Sequence, residues 1–230
     1  MSIDTVLHLG GDEVNPTCWN NSVAIQAWMQ QHNMTSTDQI YEYFVSETNA
    51  MALQKKLSPM RWEEVWKHFR TELDPSTIVH AWLSNEAMND AANNGYRTVF
   101  SVSGSDYYLD YLDITWDETY NVNILETVTN SSAIPYILGA ETCMWGETVD
   151  AGTFLQTIWP RAAAAAERWW SNNFATSTSQ SWDVINRFAQ FRCLLLERGI
   201  PAASPGNPTA GSMGPAWTVG SCGGGYKDLC

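Results

Sequence analysis

Short apolar runs of strand length alternate along this chain with longer amphipathic runs of helix length, and that alternation restricts the fold more than any other feature. Thr5 to Leu9, Leu57 to Trp62, Thr77 to Leu83, Arg97 to Val102 and Ile134 to Thr142 read as strands. The second of these has Pro59 inside it and runs on into Trp62-Glu63-Glu64-Val65-Trp66. The spacing predicts helices from a Ser22 cap to about His32, from Thr35–Asp38 to Lys56, from Asn85 to Asn94 with Gly95 as the stop, from Thr153 to Trp170, and from a Ser181 cap to Arg198. Pro160 falls inside the fourth and marks a kink or the join of two helices. Strands joined through helices run parallel, so the pattern predicts an α/β fold of the (β/α)8 TIM-barrel type. An open doubly wound sheet is the alternative, although no Gly-x-Gly-x-x-Gly turn follows any strand. About five strands are present where a closed barrel has eight.

Charged and aromatic residues crowd the strand ends, the side on which such barrels place their chemistry. The first strand runs into His8-Leu9-Gly10-Gly11-Asp12-Glu13-Val14: two glycines allow a sharp turn, and two adjacent carboxylates follow. Neighbouring side chains on extended backbone face opposite ways and so meet different surroundings. Unequal surroundings keep one carboxyl protonated while its neighbour stays ionised, which is an acid/base site in outline. A plain loop before a charged helix start has the same four central residues, so the further blocks are needed to decide.

Composition narrows the partners. Twelve tryptophans in 230 residues are the outlier; core packing accounts for most, and stacking beneath a sugar ring fits the rest. Lys plus Arg total 12 against 25 Asp plus Glu, a net charge of −13, so nucleic acid is not an expected partner. No apolar run approaches the roughly 18 residues of a membrane span, and the N-terminus lacks a signal-peptide layout. His32, His68 and His80 share no evident site, and the cysteines show no ligand spacing, so neither a metal nor another cofactor is expected. Sequons at Asn20, Asn33 and Asn130, with Cys222 and Cys230 placed for a disulfide staple in a Gly/Pro-rich tail over residues 201–230, point to a secreted or lysosomal protein whose targeting segment is not in this chain.

The octet from Leu7 to Val14 resembles the active-site signature of the β-N-acetylhexosaminidases, the family-20 glycoside hydrolases. Trp62-Glu63-Glu64-Val65, Ala81-Trp82, Tyr107-Tyr108-Leu109-Asp110, Glu141 to Glu147, Trp159-Pro160-Arg161-Ala162 and Arg192-Cys193 follow in the order that family requires. The resemblance implies that residues 1–200 are the C-terminal portion of the family's barrel, about strands four to eight. It implies hydrolysis of terminal N-acetylhexosaminides with the substrate's own 2-acetamido oxygen as nucleophile, an exception to the two-carboxylate scheme. On that basis Glu13 is the expected general acid and base, partly buried against aromatic walls. Asp12 is expected to hold the acetamido group, and Tyr108 to donate to its oxygen. Trp62, Trp82 and Trp145 are the expected walls of the sugar site. Asp110 and Glu147 are the expected acceptors of sugar hydroxyls, with an acid at Asp110 implying uncharged N-acetylglucosaminides or N-acetylgalactosaminides. His8 is expected to pack or to orient a neighbour.

The same resemblance implies a C-terminal disulfide between Cys193 and Cys222, a buried free thiol at Cys143 and an upstream partner for Cys18. It also implies that the first barrel strands belong upstream of this chain. A homodimer or a separate N-terminal half is therefore an expected partner. Two rivals remain at this point: a non-catalytic carbohydrate-binding fragment, and a two-carboxylate glycosidase pairing Glu13 with Asp110 or Glu147.

Overall fold

The computed structural model describes residues 5–102, 108–111, 114–171, 178–179 and 181–204. In chain order these form β1 (Val6–His8), α1 (Thr17–Asn20), α2 (Val23–Gln31), α3 (Thr37–Gln54), β2 (Ser58–Trp62), α4 (Glu63–Phe69), β3 (Ile78–Ala81), α5 (Asn85–Asn93), β4 (Arg97–Phe100), α6 (Trp116–Asn121), β5 (Ile137–Ala140), α7 (Phe154–Ile158), α8 (Arg161–Trp170) and α9 (Trp182–Glu197). The sheet order is β1-β2-β3-β4-β5, and the pairs β1–β2, β2–β3 and β3–β4 are parallel. Sequential order in a parallel sheet is the outcome the strand–helix alternation predicts.

The chain divides into two compact units, residues 1–100 with 127–138, and residues 101–126 with 139–230. In the first unit, β3 is buried at all four positions, as expected of a strand with a neighbour on each side and helices over it. Its core joins Tyr41 and Val45 of α3, Val65 and Trp66 of α4, Val79 of β3, and Ala91 of α5. Helix α3 starts with a capping box in which Ser36 and Gln39 satisfy each other's backbone amides. Strand β1 lies at the sheet edge with all three side chains exposed.

In the second unit, Trp116 stacks on Phe188 with ring centroids 4.3 Å apart, and Tyr120, Ala164, Val184 and Ile185 complete the cluster. Ala164, from the alanine run of α8, packs there with Trp116 and Tyr120 of α6. Pro160 separates α7 from α8, so the predicted helix over 153–170 is two helices with a join at the proline.

Helices α1, α4 and α6 fall where the sequence pattern predicts no helix. Residues 63–69, which follow directly on the Leu57–Trp62 strand, form α4, with Glu63 and Glu64 in its first turn and Lys67 and His68 in its last. That charge order complements the helix dipole. Helix α6 lies in a polar stretch that shows no helical period; Thr115 and Glu118 form its capping box. Among the described residues no helix is long and apolar enough to cross a membrane.

Candidate active site

The turn that carries Asp12 and Glu13 is held by backbone hydrogen bonds at Leu9, Gly10, Gly11 and Glu13. Leu9 N–H donates to Met60 O at 2.9 Å, and Arg61 Nη1 donates to Leu9 O at 2.9 Å. Gly10 N–H donates to His8 Nδ1 at 3.0 Å, and Trp62 N–H donates to Gly10 O at 3.3 Å. The Tyr41 hydroxyl donates to Gly11 O, and Glu13 N–H donates to Glu64 Oε1 at 3.4 Å. Gly10 and Gly11 have φ of 63° and 104°, and Glu13 itself has φ of 49°. A Cβ on Gly11 would lie 2.5 Å from Val65 Cγ2, so glycine is required there on two grounds.

Arg61 is the anchor beneath this turn. It is 1% exposed and also donates through Nε and Nη2 to Asn49 Oδ1, at 3.0 and 2.8 Å, and to Val45 O at 3.1 Å. Burial lowers its pKa to about 10, which leaves it charged near neutrality. Burial, with Glu64 adding, raises the Tyr41 hydroxyl to about 12, so it remains a donor to Gly11.

The two acids after Trp62 hold the loop after β3. Glu63, fully buried, accepts from the backbone N–H groups of Trp82, Leu83 and Ser84 at 2.8, 2.8 and 3.2 Å, and pairs with Lys67 Nζ at 2.5 Å. Glu64 accepts from the Trp82 indole N–H at 2.8 Å, so one carboxylate touches both the backbone of Glu13 and the ring of Trp82. The Trp62 and Trp82 rings meet edge to face at 6.3 Å. Trp62 also stacks on His80 at 4.1 Å and leans on His8 at 4.8 Å. Glu13 is exposed. It borders a cavity of about 170 Å³ whose aromatic members are Trp19 and Tyr41, rather than being partly buried against Trp62 and Trp82 as expected.

Tyr108, Asp110, Trp145 and Glu147 belong to the second unit. Tyr108 forms a parallel bridge with Cys143, and Leu109 N–H donates to Cys143 O at 2.8 Å. The Trp145 N–H donates to Asp110 Oδ1 at 3.2 Å, and the Tyr108 and Trp145 rings are 6.4 Å apart. Tyr108 and Asp110 are buried, whereas Trp145 and Glu147 are exposed. Burial, followed by the nearby Cys143, pushes the Tyr108 hydroxyl well above the usual phenol range, so it stays protonated and able to donate. Arg161, fully buried, donates to Leu109 O, to Tyr111 O at 3.0 Å and to Ile114 O at 2.8 Å, and so holds the segment behind Tyr108 and Asp110.

The structure thus gathers Asp12, Glu13, Trp62 and Trp82 in the first unit, and Tyr108, Asp110 and Trp145 in the second. Sequence reasoning missed Tyr41, Arg61 and Glu64; Glu64 alone had a visible signal, its place in the Trp-Glu-Glu block. Cys193 is buried in α9, while Cys222, its expected partner, and Cys230 lie outside the described residues. Cys18 and Cys143 are free, and burial raises the Cys143 thiol to about 11. Among the described residues no group of three His, Cys, Asp or Glu side chains is arranged to hold a metal.

Comparison with known proteins agrees with this architecture. The profile of the glycosyl hydrolase family 20 catalytic domain matches residues 1–173. Beta-hexosaminidase 1 of Arabidopsis thaliana is 43% identical over 218 residues, covering 94% of this chain and 40% of that protein. The mouse (Mus musculus) beta-hexosaminidase subunit alpha is 32% identical over 207 residues, covering 86% and 38%. The Flavobacterium johnsoniae chitobiase structure superposes with a TM-score of 0.70 at 28% identity, covering 85% of this chain and 30% of that one. A family-20 exo-β-N-acetylglucosaminidase from Vibrio harveyi, solved with N-acetylglucosamine, shares the fold with a TM-score of 0.74 at 24% identity, over 88% and 33%. The chain spans about two fifths of the length of the plant relatives it matches. Its parallel sheet is part of an α/β barrel, and the chain belongs to glycosyl hydrolase family 20.

Proposed function

We propose that this chain is the part of a β-N-acetylhexosaminidase that carries the acid/base pair, acting on glycans that end in an uncharged N-acetylglucosamine or N-acetylgalactosamine. The observation that carries the reading is the Leu9–Glu13 turn, whose backbone is held by hydrogen bonds at Leu9, Gly10, Gly11 and Glu13, on both sides of Asp12.

In this reading the substrate's acetamido oxygen attacks C1 as the glycosidic C1–O bond breaks. Glu13 gives its proton to the departing oxygen. The intermediate is a positively charged oxazolinium ring, and Asp12 offsets the charge that grows on it. Water then adds to C1, Glu13 takes the water's proton, and the ring opens to the sugar with its original configuration. Tyr108 donates to the acetamido oxygen, Trp62, Trp82 and Trp145 are sugar-facing walls, and Asp110 and Glu147 accept from sugar hydroxyls. One oxygen of Asp110 accepts from the Trp145 amide.

Relatives in mouse and rat are named as alpha and beta subunits. An assembly with a second chain, either a copy of this one or a polypeptide supplying further strands, is part of the proposal. A secreted or lysosomal location and a Cys193–Cys222 bridge are too. The test is hydrolysis of a chromogenic β-N-acetylglucosaminide at mildly acid pH by the chain and by its Glu13→Gln variant, beside the matching β-glucoside. The reading predicts turnover of the acetamido substrate alone, and a loss of roughly 10²–10⁴ in kcat in the variant. Equal turnover of the glucoside, or an unaffected variant, contradicts it.

A further inference from the structure

The turn bearing the two carboxylates and the indole of Trp62 are connected through two histidines that the mechanism does not use. His8 closes β1, and His80 lies in β3, on the other side of β2. Gly10 N–H, a donor that cannot change role, lies 3.0 Å from His8 Nδ1, so that nitrogen must present a lone pair. The proton of a neutral His8 ring is then on Nε2. His8 Nε2 lies 3.2 Å from His80 Nδ1, and the two nitrogens share one proton. Since His8 Nε2 carries it, His80 Nδ1 is the acceptor and the His80 proton is on its own Nε2. A second proton on His8 would set Nδ1–H against the Gly10 amide. A proton on His80 Nδ1 would set N–H against N–H. The hydrogen bonds therefore run one way, from Gly10 to His8 and from His8 to His80, and both rings are neutral.

The same two rings enclose Trp62. His80, fully buried, stacks on the indole with an interplanar angle of 27°, and His8 meets it at 56°. Moving either imidazole therefore moves the indole, and moving His8 also releases the first amide of the turn that ends in Asp12 and Glu13. Partial desolvation of the otherwise exposed His8 ring lowers its pKa most; of the charged groups facing it, Asp12 from the turn opposes that shift and Arg61 from β2 adds to it.

We propose that His8 and His80 form a directional, neutral imidazole pair that sets the relative placement of the Asp12–Glu13 turn and the Trp62 indole. They are positioning residues for the hydrolysis proposed above, and this inference rests on that reading for its consequence in turnover. Its structural content can be tested without turnover.

The chain has four histidines, so uniform 15N-histidine labelling with long-range 1H–15N correlation at pH 7 resolves each ring. His8→Asn and His80→Phe variants assign the signals. Both rings are expected with Nδ1 unprotonated and Nε2 protonated, and a ring protonated at Nδ1 overturns the proposal. Amide exchange supplies the second readout. His8→Phe keeps the ring packing on Trp62 but has no acceptor, and the Gly10 amide is expected to exchange about tenfold faster. His8→Asn places an oxygen near the lost Nδ1 and is expected to restore protection. Equal protection in wild type and His8→Phe overturns the pair's hold on the turn. Where the wild-type chain hydrolyses the acetamido substrate, His8→Phe is expected to lose about a hundredfold in kcat with little change in KM. An unchanged kcat overturns the positioning role. A wild-type chain without turnover counts against the proposed function, and the tautomer and exchange results still decide the pair.

Discussion

Glu63 offers a graded test of how the loop after β3 is held. Its Oε2 receives all three backbone amides of Trp82, Leu83 and Ser84, while Oε1 receives Lys67 and the Ser84 hydroxyl. A hydrogen bond to a charged acceptor contributes about 1.5–3 kcal/mol net. The three amides together would give up to about 9 kcal/mol, but Leu83 is 45% exposed and water can replace part of what is lost. We expect Glu63→Ala to cost about 4 kcal/mol. The Lys67 ammonium is 45% exposed, so its pairing contributes at most about 1 kcal/mol. Glu63→Gln keeps an oxygen where the amides converge and turns its NH2 toward the Ser84 hydroxyl, while Lys67 moves into water. That variant should lose only about 1 kcal/mol. Urea unfolding followed by tryptophan fluorescence reads the difference. With a slope near 2 kcal/mol per molar, the midpoint should fall by about 2 M for alanine and about 0.5 M for glutamine. Equal losses in the two variants would refute the assignment of the amides to one oxygen, and an alanine variant as stable as wild type would refute their importance.

Three further outcomes follow from the geometry. Burial, with His8 adding to it, lowers His80 to about 3 in the folded chain against an ordinary 6.5. The unfolded chain therefore binds a proton that the folded chain does not, and stability is lost as pH falls from about 6.5 toward 3. Between pH 7 and 5 the wild type should lose about 2 kcal/mol more than His80→Gln in urea titrations at the two pH values. Gly11→Ala must fit a Cβ 2.5 Å from Val65 at φ of 104° and should cost about 3 kcal/mol, read from the melting temperature. At pH 7 a maleimide should label exposed Cys18 and leave Cys143, whose thiol sits at about 11, unmodified when peptides are mapped by mass spectrometry.

The strands were legible because each pairs with the next one in sequence, so apolar runs and turn residues carry the whole signal. Helix α4 was not, because so short a run between Trp62 and Phe69 shows no clear period, while the decisive charges, Glu63 and Glu64 before Lys67 and His68, act through the helix dipole and the Glu63–Lys67 pair. Helix α6 was legible in principle, since Thr115 and Glu118 stand at capping-box spacing within a polar stretch. The acids, tyrosine and tryptophans of the candidate site were read from adjacent residues in blocks. Their supports were not, because Tyr41 reaches Gly11 across 30 residues, Arg61 reaches Leu9 across 52 and His8 reaches His80 across 72. Contacts at that separation leave no local pattern, so the carboxylates were visible in the sequence and the scaffold that aims them was not. The exposure of Glu13 was also beyond local reading, since it depends on which side chains come to surround the turn.

The claim that matters most is that the substrate's own acetamido group is the nucleophile, with Asp12 offsetting the charge that develops on it. The direct measurement is kcat/KM of Asp12→Asn on a β-N-acetylglucosaminide and on the matching β-glucoside, with the wild type beside it. The account predicts a loss of about a hundredfold or more on the acetamido substrate and no turnover of the glucoside by either protein. Hydrolysis of both sugars by the wild type, with Asp12→Asn affecting them alike, would contradict it and would point to a second carboxylate as the nucleophile.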